Sequence, residues 1–292
     1  MKKFAILVDS ISTIGTNENP SINDVYVLPL GLTTPDGKNM QDYTSGISIN
    51  EILESAKQKK YYKTSTTKVG VFFDMIDQLL NDYEHVIYLA ISSELSSQFH
   101  NLSKLIELDD KYKDKVWMIN TLSAGYSIEQ MTKDILDVIS LKGDITLRQI
   151  EDIVRIENNT SSEYIICKNL LGVNEGGRIT KTFIKILDKL AKVPIILFEK
   201  KNILKSLARD YDKAFLKIIK HVTERTKKTN TKITEMCFVY TDEYSKKKIE
   251  QFILQAKELF NLTDNKITTR RIMFPVVTHT LFDTMCFYFK FD

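Results

Sequence analysis

At 292 residues the chain is long for one hydrophobic core and comfortable for two, and 43% hydrophobic with 27% charged residues excludes a disordered chain. A formal net charge of +3 is too small to argue for nucleic acid by itself, and no apolar stretch is long enough to span a bilayer. Cys167, Cys237 and Cys286 lie far apart with no C-x-x-C spacing, so neither a disulfide framework nor a zinc site is expected, and the chain is assigned to a reducing cytoplasm.

The first apolar run, residues 4–8, stops at Asp9-Ser10, too short for a secretory h-region and suited to a buried strand. Further strands are predicted at 25–30, 85–92 and 116–120, with helices at 50–59, 69–80, 96–106 and 127–139. That alternation predicts a parallel sheet with helices on its faces. A helix opened by the capping box Thr146-x-x-Gln149 runs to about residue 156, and the polar cluster Asn158-Asn159-Thr160-Ser161-Ser162 then breaks the pattern. The expected division is therefore a first α/β lobe over 1–160 and a second over 161–292, with a ligand cleft between them. In the second lobe, strands are predicted at 163–167, 193–198, 232–240, 267–274 and 284–291 and helices at 180–190, 208–226 and 244–260, giving a mixed sheet. The Lys/Arg-rich stretch 200–232 reads as a solvated helical face, with a partner, nucleic-acid or membrane surface as the other reading.

Ligands of open α/β sheets gather where strands pass into helix N-termini. Two hydroxyl-rich loops occupy such places: Ile91-Ser92-Ser93-Glu94-Leu95-Ser96-Ser97-Gln98 and Lys63-Thr64-Ser65-Thr66-Thr67. Hydroxyls beside free backbone N–H groups make an anion cradle, although Ser96 alone reads as a helix cap and 64–67 alone as an exposed turn. His279, flanked by β-branched residues, is a third candidate whose plain reading is structural. Gly176-Gly177 precedes a helix without the spacing of a dinucleotide or P-loop motif. No G-x-S-x-G nucleophile elbow is present, nor an H-E-x-x-H or a His/Asp/Glu cluster at metal spacing, so no metal and no cofactor are expected.

These segments, in order, resemble the DegV family over nearly the whole chain: Val8-Asp9-Ser10, Val27-Leu28-Pro29-Leu30, Lys63-Thr64-Ser65, Ile91-Ser92-Ser93-x-Leu95-Ser96, Gly176-Gly177-Arg178-Ile179, Ala208-Arg209 and Thr278-His279-Thr280. The resemblance implies a two-lobed bacterial lipid-binding protein of phospholipid metabolism, holding a long-chain fatty acid as the non-catalytic subunit of a fatty acid kinase. By the same resemblance Thr64, Ser96 and His279 bind the carboxylate, with Ser65, Ser93 and Ser97 in support, and Arg178 and Arg209 face the kinase catalytic subunit. No nucleic-acid partner and at most transient membrane contact are expected. The chain departs from the family pattern at Ser97-Gln98, where Gly-Thr is usual, at Thr66-Thr67-Lys68, at Asn120-Thr121, and in Leu281-Phe282-Asp283-Thr284-Met285, which replaces a Gly-rich tail. The competing expectation is a hydrolase or phosphotransferase with Ser96 as nucleophile and His279 as base.

Overall fold

The computed structural model describes residues 2–168 and 192–292. In chain order the first half forms β1 (Lys2–Asp9), β2 (Val25–Leu28), β3 (Gly31–Thr33), β4 (Asn39–Gln41), α1 (Ile49–Lys57), β5 (Lys63–Ser65), α2 (Val69–Asp82), β6 (Tyr83–Ala90), α3 (Gln98–Glu107), β7 (Val116–Asn120), α4 (Gly125–Lys142) and α5 (Leu147–Thr160). The second half forms β8 (Ser161–Ile166), β9 (Val193–Glu199), β10 (Lys201–Ala208), α6 (Tyr211–Thr229), β11 (Ile233–Tyr240), α7 (Glu243–Phe260), β12 (Ile267–Arg271), α8 (Phe274–Thr280) and β13 (Met285–Phe291).

Two compact units result. The first comprises Met1–Ile47, Thr64–Asn159 and Met273–Pro275, and the second Ser48–Lys63, Thr160–Ile272 and Val276–Asp292. Where a single division after residue 160 was expected, the units interleave. Helix α1 belongs with the second unit, where Lys57 Nζ lies 5.8 Å from the Phe282 ring centroid.

The sheet of the first unit is parallel with strand order β2-β1-β6-β7. Ala5 and Leu7 of β1 and Val86, Tyr88 and Ala90 of β6 pack in one cluster with Phe72 and Ile76 of α2 and Leu102 and Ile106 of α3. Their alternates Ile6, Val8, Ile87 and Leu89 are fully buried as well. Burial on both faces is why these strands read as unbroken apolar runs. A small sheet, β4-β3-β5, lies beside them in sequence, so Lys63-Thr64-Ser65 is a strand rather than a turn. The Thr146 box closes as expected: Thr146 N donates to Gln149 Oε1 at 2.9 Å, and Gln149 N to Thr146 Oγ1 at 3.3 Å.

The sheet of the second unit is mixed, in the order β10-β9-β8-β13-β11-β12, with only β11 and β12 parallel among its pairs. Its covered face is aromatic: Phe215 of α6 stacks on Phe252 of α7 at 4.2 Å between ring centroids, over Phe238 and Phe287. Two expectations are corrected here. Residues 201–208 are a strand at the sheet edge and not part of a helical face; exposed Lys201 and Lys205 suit an edge that must not pair with another chain. Strand β12 ends at Arg271, and 274–280 form α8, because Pro275 suits a first helical turn, where its missing N–H breaks no bond. The helix predicted at 180–190 and the Gly176-Gly177 turn lie outside the described residues.

Candidate functional site

In the first sheet β1 is the oldest strand in sequence; β2 lies on one side of it and β6 on the other, so the order reverses between β1 and β6. The crevice outside the carboxyl ends of two such strands is where an open α/β sheet binds ligands, because the loops there diverge and leave room. Asp9 ends β1, and the loop from Ile91 follows β6.

Asp9 is fully buried and accepts three hydrogen bonds, from Tyr88 OH at 2.5 Å, Ile91 N at 2.7 Å and Gln98 Nε2 at 3.2 Å. Burial pushes its carboxyl up to about 6, and the three donors hold it from rising further. Next to it the Ser10 hydroxyl donates to Asp42 and accepts from Leu30 N at 3.2 Å. Asp42 is likewise pushed up to about 6 by burial, with the Asp9 charge adding to the rise against its own donors Ser10, Tyr43 and Leu30.

The two hydroxyl loops meet at this crevice. Gln98, the first residue of α3, accepts from Thr67 N at 2.9 Å through Oε1 and donates to Thr67 Oγ1 at 2.8 Å through Nε2. Thr67 Oγ1 donates onward to the Pro29 carbonyl at 2.7 Å. Thr64 is half-buried in β5, three residues before Thr67. Ser96 is half-buried just before α3, and its Oγ accepts from Gln98 N at 3.2 Å. The reading of Ser96 as the helix cap is off by one residue: Ser97 is the cap of α3 and makes no side-chain cap bond, while Ser96 accepts from Gln98 N two residues on, and its O–H has no acceptor among the described residues.

The other sequence candidates separate by role. Ser93 is committed to Asn120, accepting from Nδ2 at 2.8 Å and donating its N–H to Oδ1 at 3.2 Å, which ties the β6 loop to the β7 loop. Ser97 is exposed and accepts from Asn101 Nδ2 at 3.3 Å along the helix. Ser65 is exposed on β5, which approaches β3 so closely that a Cβ on Gly31 would stand 2.1 Å from Ser65 Oγ and 3.0 Å from the Thr66 carbonyl. His279 is half-buried on α8 in the second unit. In the segment after it, Leu281 at φ 54° and Asp283 at φ 57° both hold left-handed conformations. Arg209 is 91% exposed along its side chain and lies 3.6 Å from Asp210, whereas Arg178 lies outside the described residues. No group of three His, Cys, Asp or Glu that could hold a metal ion occurs among the described residues, and no described helix is long and apolar enough to cross a membrane.

Sequence reasoning missed the Asp9–Gln98–Thr67 network and the Ser10–Asp42 pair. The available signal was a carboxylate directly after a fully apolar strand, which must either be satisfied or be functional. Gln98 was visible only as a departure from a pattern.

Residues 3–289 match the family model described as "Uncharacterised protein, DegV family". The DegV domain-containing protein UU535 of Ureaplasma parvum serovar 3 is 31% identical over 273 residues, which cover 92% of this chain and 89% of that protein. Among solved structures, the fatty acid binding DegV family protein SAG1342 of Streptococcus agalactiae superposes with a TM-score of 0.78 at 19% identity, over 99% of each chain. The Streptococcus pneumoniae Fatty Acid Kinase (Fak) B3 protein, loaded with linoleic acid, gives 0.81 at 16% identity, over 99% of this chain and 100% of that one. At such identities the structural likeness speaks for the fold.

Proposed function

The chain belongs to the DegV family, and from that premise we propose that it binds a long-chain fatty acid and presents the carboxylate to a partner kinase for acyl-phosphate formation. The observation that carries this is the junction of the two hydroxyl loops: Gln98 holds Thr67 at the crevice where the strand order reverses, with the Ser96 O–H uncommitted beside it.

A buried carboxylate needs several donors to offset its desolvation. In this role, as the family resemblance implies, Thr64 and Ser96 supply hydroxyls and His279 an imidazole N–H, with Ser65, Ser93 and Ser97 in support. The acyl chain supplies most of the affinity, at roughly 0.8 kcal/mol per buried CH₂, and the hydroxyls set orientation. Arg209, exposed beside Asp210, and Arg178 serve as docking residues for the kinase. The chain itself does no chemistry in this role.

The test is mass spectrometry of the gently purified protein together with palmitate titration followed by thermal unfolding. A co-purifying fatty acid and a raised melting temperature are expected, with Ser96→Ala weakening palmitate binding by about tenfold to a hundredfold, the value of one hydrogen bond to a charged group. Absence of both lipid and thermal shift would sink the proposal.

A further inference from the structure

We infer that Gln98 is the positioning residue of the carboxylate site: its side-chain amide locks Thr67, just after β5, to the loop after β6 and so fixes where Thr64 and Ser96 offer their hydroxyls. The inference rests on the fatty-acid reading above and assigns Gln98 no contact with the ligand.

The geometry of the amide leaves it one orientation. Asp9 can only accept when ionised, so the end of Gln98 that faces it must be the NH₂, which lies 3.2 Å from Asp9 Oδ1 and also 3.2 Å from Tyr88 OH. The same nitrogen donates to Thr67 Oγ1 at 2.8 Å, a hydroxyl whose own proton goes to the Pro29 carbonyl. The amide oxygen then faces Thr67 N and accepts from it at 2.9 Å. Thr67 is thereby held by both its main chain and its side chain, on an amide that Asp9 orients from behind.

Other side chains fail at this position for identifiable reasons. A glutamate would set a second acceptor against buried Asp9 and leave Thr67 Oγ1 without its donor. Methionine has similar length but would strand the Thr67 N–H, and such an orphaned buried donor drives the loop to rearrange. Gln98 is 0% exposed, so no water replaces what the amide supplies. The distance between the two hydroxyl loops is therefore set by one side chain, with Thr64 three residues from its anchor and Ser96 two residues from Gln98 itself.

This arrangement predicts an effect on headgroup selectivity, which a loss of general packing would not produce. The full-length protein is titrated with palmitic acid and with methyl palmitate, which shares the acyl chain and lacks the carboxylate. Gln98→Met is expected to weaken the acid by about tenfold while leaving the ester within about twofold, and the near-isosteric Thr67→Val to do the same. The double variant is expected to lose no more than either single one, as for two residues acting through one linkage. Equal weakening of acid and ester, an unchanged ratio, or additive losses in the double variant would each overturn the assignment. If Gln98→Met does not fold, Thr67→Val carries the comparison alone, and an unchanged ratio there overturns it as well. A wild-type protein that binds neither ligand overturns the fatty-acid reading and this one with it, whereas binding by wild type with unmoved variants removes only the role of Gln98.

Discussion

Two buried carboxylates at the carboxyl end of β1 make the first unit sensitive to pH in the direction opposite to most surface acids. Asp9 stands near 6 in the folded protein against roughly 3.9 in an unfolded chain. Below about pH 4 it is protonated in both states, and between about 4 and 6 the folded state binds the extra proton, so stability falls as pH rises through that window. By pH 7 the cost is on the order of 3 kcal/mol. Asp9→Asn, which removes the titration, should therefore gain about 2 to 3 kcal/mol relative to wild type between pH 4 and pH 7 in denaturant unfolding. A constant gap across that range would show that Asp9 does not titrate there. A second contrast lies after His279. Leu281 and Asp283 both hold left-handed backbone, a strain of about 1 kcal/mol each for a residue with a Cβ. Asp283 also faces Asp242, and burial followed by that charge raises its carboxyl above the usual range. Asp283→Gly should raise the melting temperature by a few degrees, the equivalent of about 1 kcal/mol. Leu281→Gly should lower it, because Leu281 is 2% exposed and losing its burial costs about 2 to 3 kcal/mol, more than the strain relieved. The same direction of change in both variants would refute this balance.

At the level of elements, Gly31 of β3 leaves no room for a side chain against β5. In Gly31→Ala the new methyl would meet Ser65 Oγ and the Thr66 carbonyl, so Ser65 must turn and β5 must yield. The expected cost is about 1 to 3 kcal/mol of stability together with weakened palmitate binding, since Thr64 directly precedes Ser65 on β5; titration calorimetry and thermal unfolding measure both. An unchanged affinity would separate β5 from the site. What the sequence discloses follows the same physics. Strands β1 and β6 are legible because both faces are buried, and the helices because their apolar spacing is regular. Strands β3, β4 and β5 have three residues each, too few to show a period of two. Strand β10 is hidden because an edge strand carries lysines where a central strand would carry valines. Helix α8 is hidden because Val276-Val277-Thr278 has strand-like residues, and tertiary packing overrides that propensity. The site is half legible: hydroxyl-dense loops announce an anion, but the glutamine that joins them sits 31 residues from Thr67, and no local pattern reports such a pairing.

For the whole molecule, the interleaving of the two units and the place of β13 matter most. The last strand in sequence is not at the margin of its sheet: it lies between β8 and β11 and pairs with both. Removing residues 285–292 would therefore divide the remaining five strands of the sheet into β10-β9-β8 and β11-β12 and take Phe287 and Phe289 out of the aromatic core. Hydrogen exchange of that truncated chain should show amides of β1 and β6 still protected and those of β8 and β11 open. Protection in β11 equal to wild type would contradict the central role of β13. A ribosome making this chain meets the same constraint in time. Helix α1 emerges early but belongs to the unit whose last strand is β13, so it must wait through more than two hundred residues of synthesis for Phe282, and a nascent chain stalled between β12 and β13 carries an exposed half-sheet that invites chaperones.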